Sequence, residues 1–210
     1  MKSFSIKTNY PVALESYDYL YPFGTIRDNH SNTALVQKLK NMGVSTLLDI
    51  GCAGGGFVEE LLQNGINAVG IEGSDTNLRI QRAAWAMIPN NLFTVDATKP
   101  FSIKFDSKSV IFNVVTAWEF FEHIEEKDLP QVMENIKEHT AYGSQLICSI
   151  ANFPSPHEGI DLHRTQKELP FWIDLFESNK FQRDADAEKH YEGNWVRNST
   201  FNLVLRRRIL

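Results

Sequence analysis

The sequence has little cysteine, no long apolar run and no excess of basic residues. Only two cysteines, Cys52 and Cys148, occur among its 210 residues. Both fall in segments that read as turn or core, so we expect reduced thiols and a cytoplasmic location. No apolar run approaches the roughly 20 residues that span a bilayer, and residues 1–4 lead into polar sequence without the apolar stretch of a signal peptide. We therefore expect no membrane partner.

Acidic residues outnumber basic ones, 26 to 21, which gives a formal net charge of −5. A protein that binds nucleic acid usually carries a basic face, because neutralising phosphates supplies most of the non-specific affinity. The basic run Arg206-Arg207-Arg208 lies in a strand-like segment, and we interpret it as a solvated strand end. The charge balance therefore predicts no nucleic-acid partner. It gives no indication of the oligomeric state.

Short apolar runs alternate with amphipathic segments along the chain, without internal repeats or linker-like stretches. The predicted strands are 46–50, 68–71, 91–95, 110–116 and 145–150, with two more near 189–195 and 200–207. The predicted helices are 31–42, 57–63, 75–87 with Asp75 as its cap, 129–139 and 167–178. This alternation predicts an α/β fold, with helices on both faces of a mostly parallel sheet and an antiparallel C-terminal edge. We expect one domain over 1–210, in which the aromatic segment 1–30 is a lid or a substrate-side segment.

A glycine-rich turn follows the first of the predicted core strands. It spans Asp49 to Gly55 and includes Gly51 and Ala53. Glycine lets the backbone turn sharply from strand to helix and lets a ligand approach the main chain closely. Alanine is small enough to replace glycine at Ala53, provided that φ there is negative. The turn has a strand before it and a helix after it, as a nucleotide-type site requires.

Acidic residues end the next two predicted strands. Glu72 lies 21 positions after Gly51, where a carboxylate can accept hydrogen bonds from ribose hydroxyls. Asp96, followed by Ala97, ends the third strand and can accept a hydrogen bond from an adenine amino group. NAD is the competing ligand, but its G-x-G-x-x-G fingerprint is broken at Ala53. The acidic Asp49 instead suits a cofactor that carries a cationic sulfur and an ammonium group.

Taken together, these segments resemble the class I, Rossmann-like methyltransferases. Residues 49–55 resemble that family's first motif, Glu72 its ribose-binding acid, and Asp96-Ala97 its adenine-contacting pair. Residues 114–124, which include Trp118, are similar to the fourth-strand segment that often ends in Glu-His-Ile. The resemblance implies a seven-stranded sheet and a site for S-adenosylmethionine. The residues expected to contact the cofactor are Asp49, Gly51, Ala53, Gly55, Glu72, Asp96, Ala97 and Trp118.

The polar loop after the fifth core strand, residues 152–165, is expected to lie near the transferred methyl group. A subset of small-molecule and glycan methyltransferases has a similar His-x-Thr, here His163-Arg164-Thr165, and a segment resembling residues 24–30. We take His163 as the candidate catalytic base. Glu122-His123 is interpreted as a structural pair that closes the turn after the fourth strand. The set His157, Glu158, Asp161 and His163 could also ligate a divalent metal, but loop carboxylates are too common to establish one, and we expect no metal.

The end of the fourth strand, Trp118-Glu119, lacks the Asn-Pro-Pro-Tyr-type segment that resembles base amino-group methylation. This favours O-methylation of a hydroxyl on a small metabolite or a sugar or glycan unit. The alternatives are N-methylation of a small amine, a non-catalytic methyltransferase-like partner subunit and an NAD-dependent oxidoreductase. In an N-methyltransferase, Trp118, Glu119 or a tyrosine would orient the amine.

Overall fold

The computed structural model describes residues 3 to 208 of the chain. In chain order its strands are β1 (Phe4–Thr8), β2 (Thr46–Ile50), β3 (Asn67–Glu72), β4 (Leu92–Thr94), β5 (Phe101–Phe105), β6 (Lys108–Ser109), β7 (Val114–Trp118), β8 (Gln145–Ile150), β9 (Pro156–His157), β10 (Ile160–Asp161), β11 (Phe181–Arg183) and β12 (Phe201–Arg207). Its helices are α1 (Tyr17–Leu20), α2 (Phe23–Arg27), α3 (Thr33–Asn41), α4 (Gly56–Gln63), α5 (Thr76–Arg79), α6 (Ala84–Met87), α7 (Leu129–Glu138), α8 (Leu169–Ser178) and α9 (Ala185–Tyr191).

Seven strands form the central sheet in the order β11-β12-β8-β7-β2-β3-β4. The five strands from β8 to β4 pair in parallel, and β12 runs antiparallel to both of its neighbours. The predicted α/β class and seven-stranded, mostly parallel sheet with an antiparallel C-terminal edge are confirmed. The strand order reverses between β2 and β7. In open α/β sheets, a crevice for ligands forms beyond the carboxyl ends of the strands at such a reversal.

Helices cover both faces of this sheet. Strands β7 and β8 are buried at every residue, as expected for parallel strands between two helical layers. One apolar cluster joins α7 and α8 to the sheet, through side chains such as Ile136 and Phe176. The other joins α3, α4 and α9, through side chains such as Leu39 and Leu61. The sheet is therefore held rigidly, and its carboxyl edge gives a fixed base for a site.

The strand predicted at 189–195 is wrong, because residues 189–191 end the helix α9 and residues 192–195 form a turn and irregular chain. Asp184 caps α9 by accepting a hydrogen bond from the Ala187 amide at 3.1 Å. Ala187 and Tyr191, four residues apart, both pack against the core, which is helical spacing. The edge strand β11 instead comes from residues that the sequence analysis left without an assignment.

The helix predicted over 75–87 is interrupted. It forms two short helices, α5 and α6, and between them Gln81 and Ala83 both have φ of 51°. Asp75 occupies the cap position, but its side chain makes no capping hydrogen bond. It forms an ion pair with Arg79 at 3.2 Å. The strand predicted at 110–116 begins later, at Val114.

The N-terminal segment is more ordered than its sequence suggests. β1 pairs antiparallel with β5, and β6 completes a small three-stranded sheet that the sequence analysis did not predict. Tyr17 and Tyr19 of this segment lie in the helix α1, and Tyr21 follows it. None of the helices in residues 3–208 is long and apolar enough to cross a membrane.

Candidate functional site

A cleft of about 880 Å³ opens at the carboxyl edge of the sheet, where the strand order reverses. Seven of the sequence-predicted site residues line it: Gly51, Ala53, Glu72, Asp96, Ala97, Trp118 and His163. The predicted cofactor residues therefore meet at one place with the predicted base, although they come from four different strands and a distant loop. Two others, Asp49 and Gly55, do not line the cleft and lie beneath its floor.

The glycine-rich turn forms the floor of the cleft. Gly51 has φ of +76°, and a Cβ there would lie 3.1 Å from Cδ2 of Phe120. Ala53 has φ of +44°, so the expectation of a negative φ at this alanine is wrong. Its left-handed backbone is held on both sides, because its amide donates to Glu72 at 2.9 Å and its carbonyl accepts from the Trp85 indole at 2.8 Å. The left-handed conformation costs an alanine about 1–2 kcal/mol.

Gly55 shapes the turn from below. It precedes α4 with φ of +80°, and a Cβ there would lie 2.5 Å from Cδ1 of Leu92. Both the backbone conformation and the space at this position require glycine. Its role in the structure is to let the turn pack against β4 and α6.

Glu72 lies at the end of β3, next to the glycine-rich turn. One carboxylate oxygen accepts from the Ala53 amide at 2.9 Å, and the other accepts from the Ser74 amide at 3.1 Å. Burial raises the pKa of Glu72 to about 6, against the effect of these hydrogen bonds. The carboxylate is thus fixed in orientation at the wall of the cleft.

Asp49 lies under the turn with 2% of its surface exposed. The Thr116 hydroxyl donates to its Oδ1 at 2.6 Å, from the neighbouring strand β7. Burial raises the pKa of Asp49 to about 7; the hydrogen bond from Thr116 opposes the rise, and the charge of Glu72 adds to it. A cation bound above the turn would favour the ionised form of this carboxyl group.

The far wall of the cleft holds Asp96 and Ala97, and Trp118 lies at the end of β7. Asp96 Oδ1 accepts from both the amide and the hydroxyl of Thr98, at 2.9 and 2.6 Å. The Trp118 indole N–H is buried and has no acceptor within residues 3–208. An unsatisfied buried donor is costly, so this group is available to a ligand with a suitable acceptor.

The N-terminal segment closes one side of the cleft. The Ala13 amide donates to the Gly73 carbonyl at 2.9 Å, and the Asp28 carbonyl accepts from the Gly54 amide at 3.1 Å. Asn29 Oδ1 accepts from the Gly56 amide at 2.9 Å. The segment is therefore tied by hydrogen bonds to the turn it covers.

His163 reaches the cleft from the loop after β10. Its Nδ1 lies 2.6 Å from the Phe153 carbonyl, so Nδ1 carries the proton and Nε2 is left with a lone pair. Asp161 fixes the loop by accepting from the His163 amide at 3.0 Å and from the Ser155 amide at 2.8 Å. Burial, together with the charge of His123, lowers the pKa of His163.

His123 is the site residue whose surroundings the sequence did not reveal. Its ring lies 4.8 Å from the ring of His163, edge to face. Its Nδ1 lies 3.0 Å from Asp18 of α1, 105 positions away in sequence. Burial alone would lower the pKa of His123, but the charge and hydrogen bond of Asp18 raise it. Only the fold brings these residues together, although the Glu-His-Ile resemblance had already marked the position.

The four residues considered as metal ligands from the sequence do not form one site. Asp161 is already committed to the loop, since it also accepts from the Gln166 amide group at 2.6 Å. His157 Nε2 and Glu158 Oε1 lie 4.0 Å apart in the hairpin of β9 and β10, and the His157 ring packs on Phe23. Among residues 3–208, this set contains no group of three ligand atoms close enough to share an ion.

Comparison with known proteins gives the class of the molecule. Residues 24–208 match a family described as "Methyltransferase domain". The match covers most of the chain, which therefore belongs to this methyltransferase family. The prediction of a class I, S-adenosylmethionine-dependent methyltransferase is confirmed at the level of family, fold and cofactor. Comparison with curated proteins finds no significant match.

Solved structures with the same fold include two sugar-modifying enzymes. The amino pentose methyltransferase CalS10 from Micromonospora echinaspora, solved with SAM bound, is 14% identical; the alignment covers 91% of this chain and 96% of that one, with a TM-score of 0.59. The sugar N-methyltransferase KedS8 from Streptoalloteichus is 15% identical over 93% and 94% of the two chains, with a TM-score of 0.59. The magnesium protoporphyrin IX methyltransferase of Synechocystis, solved with SAH bound, is 16% identical over 83% and 81%, with a TM-score of 0.55.

Proposed function

We propose that this methyltransferase transfers the methyl group of S-adenosylmethionine to a hydroxyl group of a small metabolite or a sugar or glycan unit. One observation carries the proposal: His163 Nε2, the ring nitrogen left with a lone pair, belongs to a side chain that lines the same cleft as Glu72 and Asp96. Donor-binding groups and a proton acceptor therefore share one cavity. Its volume falls within the range of pockets that hold drug-sized ligands.

The cofactor contacts that we propose follow from the positions of these residues. Glu72 binds the ribose hydroxyls, and Asp96 with Ala97 holds the adenine. Gly51 and Ala53 let the backbone of the turn approach the methionine part of the donor.

Of the remaining three predicted cofactor residues, two act from beneath the floor and Trp118 acts from its edge. Asp49 acts through its charge, which favours the sulfonium and ammonium groups of the donor. Gly55 acts only by shaping the turn, and Trp118 offers its unpaired indole N–H.

The chemistry that we propose is an in-line displacement at the methyl carbon. The new carbon–oxygen bond forms as the carbon–sulfur bond breaks, and the electron pair of the broken bond stays on sulfur. The hydroxyl proton passes to Nε2 of His163. Holding the nucleophile, methyl group and sulfur in line contributes roughly 7–11 kcal/mol to such a step, and a positioned base contributes about 10²–10⁴-fold.

N-methylation of a small amine is the second candidate, and Glu119 favours it. This residue follows β7 with φ of 51°, lines the cleft, and has a buried oxygen, Oε1, without a partner in residues 3–208. Such an oxygen would accept a hydrogen bond from an acceptor amine. The similarity of the fold to a sugar N-methyltransferase agrees with this candidate.

We further propose one methyltransferase domain over 1–210, in which residues 1–30 act as a lid over the bound donor. The hydrogen bonds of Asp28 to Gly54 in the cofactor turn and of Ala13 to Gly73 beside Glu72 support the lid. No nucleic acid is proposed as a substrate. The two cysteines are free and buried, in keeping with the proposed cytoplasmic location.

Transfer of labelled methyl to matched acceptor pairs tests the proposal. Each pair is a hydroxy sugar and the amino sugar that differs from it at one position. We expect label on the hydroxy member, with a large loss of turnover in His163→Ala and little change in donor affinity. Label on the amino member alone, with His163→Ala active and Glu119→Gln inactive, would replace O-methylation by N-methylation.

A further inference from the structure

Glu122 is a buried carboxyl group with only one of its two side-chain oxygens hydrogen-bonded. It lies in the turn after β7, with no measurable exposure of its side chain. Its Oε1 accepts from the Ala151 amide at 2.8 Å, but its Oε2 is buried and has no partner in residues 3–208. An unpaired carboxylate oxygen away from water is costly unless a cation or a donor reaches it.

Two histidines of the cleft lie close to the Glu122 carboxyl group. Glu122, His123 and His163 each offer one ligand atom, and these three atoms lie within 4.8 Å of one another. Ligand atoms around an ion with bonds of about 2.1 Å stand about 3.0–3.4 Å apart. Binding therefore requires the ligand atoms to approach one another by at most about 1.4–1.8 Å.

The outer hydrogen bonds of the histidines have the arrangement found around metal ligands. A metal-bound imidazole usually donates its other ring N–H to a carboxylate or a backbone carbonyl. Here the Nδ1 atom of His123 is paired with Asp18, and that of His163 with the Phe153 carbonyl. In both rings Nδ1 is thus engaged and Nε2 is the nitrogen left to ligate, and both residues line the cleft. At His123 the ion must displace the ring proton that Asp18 favours.

We propose that Glu122, His123 and His163 bind one divalent transition-metal ion where the two histidines line the cleft. Two imidazoles and one carboxylate suit ions such as Zn²⁺ or Mn²⁺ better than Ca²⁺, which prefers a full set of oxygen ligands. With three protein ligands, the ion keeps coordination positions that face the cleft. Those positions accept water or an oxygen of the acceptor.

The catalytic role of the ion rests on the proposed transfer of methyl to a hydroxyl group and replaces the proposed role of His163 as base, whereas the binding site rests on neither. In the metal-loaded protein His163 is a ligand rather than the proton acceptor. The ion orients the acceptor hydroxyl and lowers its pKa, and the hydroxyl proton leaves to solvent water.

Titration of EDTA-treated, dialysed protein with Co²⁺ tests the site, because bound Co²⁺ gives visible absorption bands and calorimetry gives the stoichiometry. We expect one ion per chain. Glu122→Gln should lower the affinity at least 10-fold, and His163→Ala should do the same. Glu122→Gln keeps the acceptor for the Ala151 amide and removes a buried ionisable group, so it should fold, as thermal unfolding would verify. His157→Ala, which removes a histidine outside the three, should bind as wild type does.

Absence of stoichiometric binding, or wild-type affinity in Glu122→Gln, would overturn the metal site. The same samples are titrated with S-adenosylhomocysteine. A protein that binds S-adenosylhomocysteine but does not bind Co²⁺ would remove the metal site and leave the proposed function standing. A protein that binds Co²⁺ but does not bind S-adenosylhomocysteine would support the metal site and contradict the proposed cofactor contacts.

Discussion

Replacing Asp49 by Asn should stabilise the ligand-free protein by an amount that depends on pH. The carboxyl group is buried, and its pKa is raised from 3.8 to about 7. Asparagine has nearly the same shape and keeps an oxygen to accept from the Thr116 hydroxyl, which donates at 2.6 Å in the wild type. The substitution therefore removes the ionisation and little else.

The direction of the pH dependence follows from whether the folded or the unfolded state loses the Asp49 proton first. Between pH 3.8 and about 7 the unfolded chain ionises Asp49 while the folded chain keeps it protonated, so wild-type stability falls as the pH rises. Above about 7 both states are ionised and the loss is complete. Each unit of pKa difference corresponds to about 1.36 kcal/mol. The free energy of unfolding of the variant should therefore exceed that of the wild type by about 2 kcal/mol at pH 5 and about 4 kcal/mol at pH 8.

Urea unfolding at the two pH values measures this difference. Asp186→Asn is the matched control, because the Asp186 side chain is 95% exposed and its change should stay within about 0.5 kcal/mol. A gain in stability for Asp49→Asn that is absent at pH 8, or equal at both pH values, would refute the electrostatic account.

The same variant should bind S-adenosylmethionine more weakly at pH 8, since it has lost the charge beneath the sulfonium. S-adenosylhomocysteine, which lacks the cationic sulfur, should lose less affinity.

Two further predictions concern the base and the turn. His163→Ala should lower turnover by about 10²–10⁴-fold while calorimetry finds little change in donor affinity; His157→Ala is the control, and equal turnover in both variants would remove His163 from the chemistry. Gly55→Ala should be less stable than Gly143→Ala by urea unfolding. The two glycines have similar φ, +80° and +86°, but only the Cβ at Gly55 meets neighbours. The backbone strain of about 1–2 kcal/mol should be common to both, so equal stabilities would contradict the packing found beneath the turn.

The strands at the centre of the sheet could be predicted because burial on both faces makes them continuous apolar runs. The bounds of β2 and β8 agree with the sequence prediction, and the glycine turn and acidic strand ends follow from them. Edge elements were harder. The small sheet of β1, β5 and β6 depends on pairing between segments about 100 residues apart, which periodicity does not encode. The end of α9 was mistaken for a strand because this helix has only seven residues, too few to decide the period of its apolar side chains.

In the candidate site, too, some features could be predicted from the sequence and others depend on the fold. Glu72 and Asp96 could be placed from sequence because parallel strands deliver their carboxyl ends to one edge. The positive φ of Ala53 could not, because it is imposed by hydrogen bonds to Glu72 and Trp85 from distant segments. The contact between Asp18 and His123 is likewise a product of the fold alone.

Calorimetric titration with S-adenosylmethionine, S-adenosylhomocysteine and NAD tests the central claim most directly, namely that the cleft at β2, β3 and β7 holds the methyl donor. We expect both adenosyl ligands to bind at one site per chain and NAD not to bind. Glu72→Gln should weaken the adenosyl ligands strongly while the thermal unfolding curve still shows a folded protein. Binding of NAD instead, or wild-type affinity for S-adenosylmethionine in a folded Glu72→Gln, would contradict the assignment of this cleft.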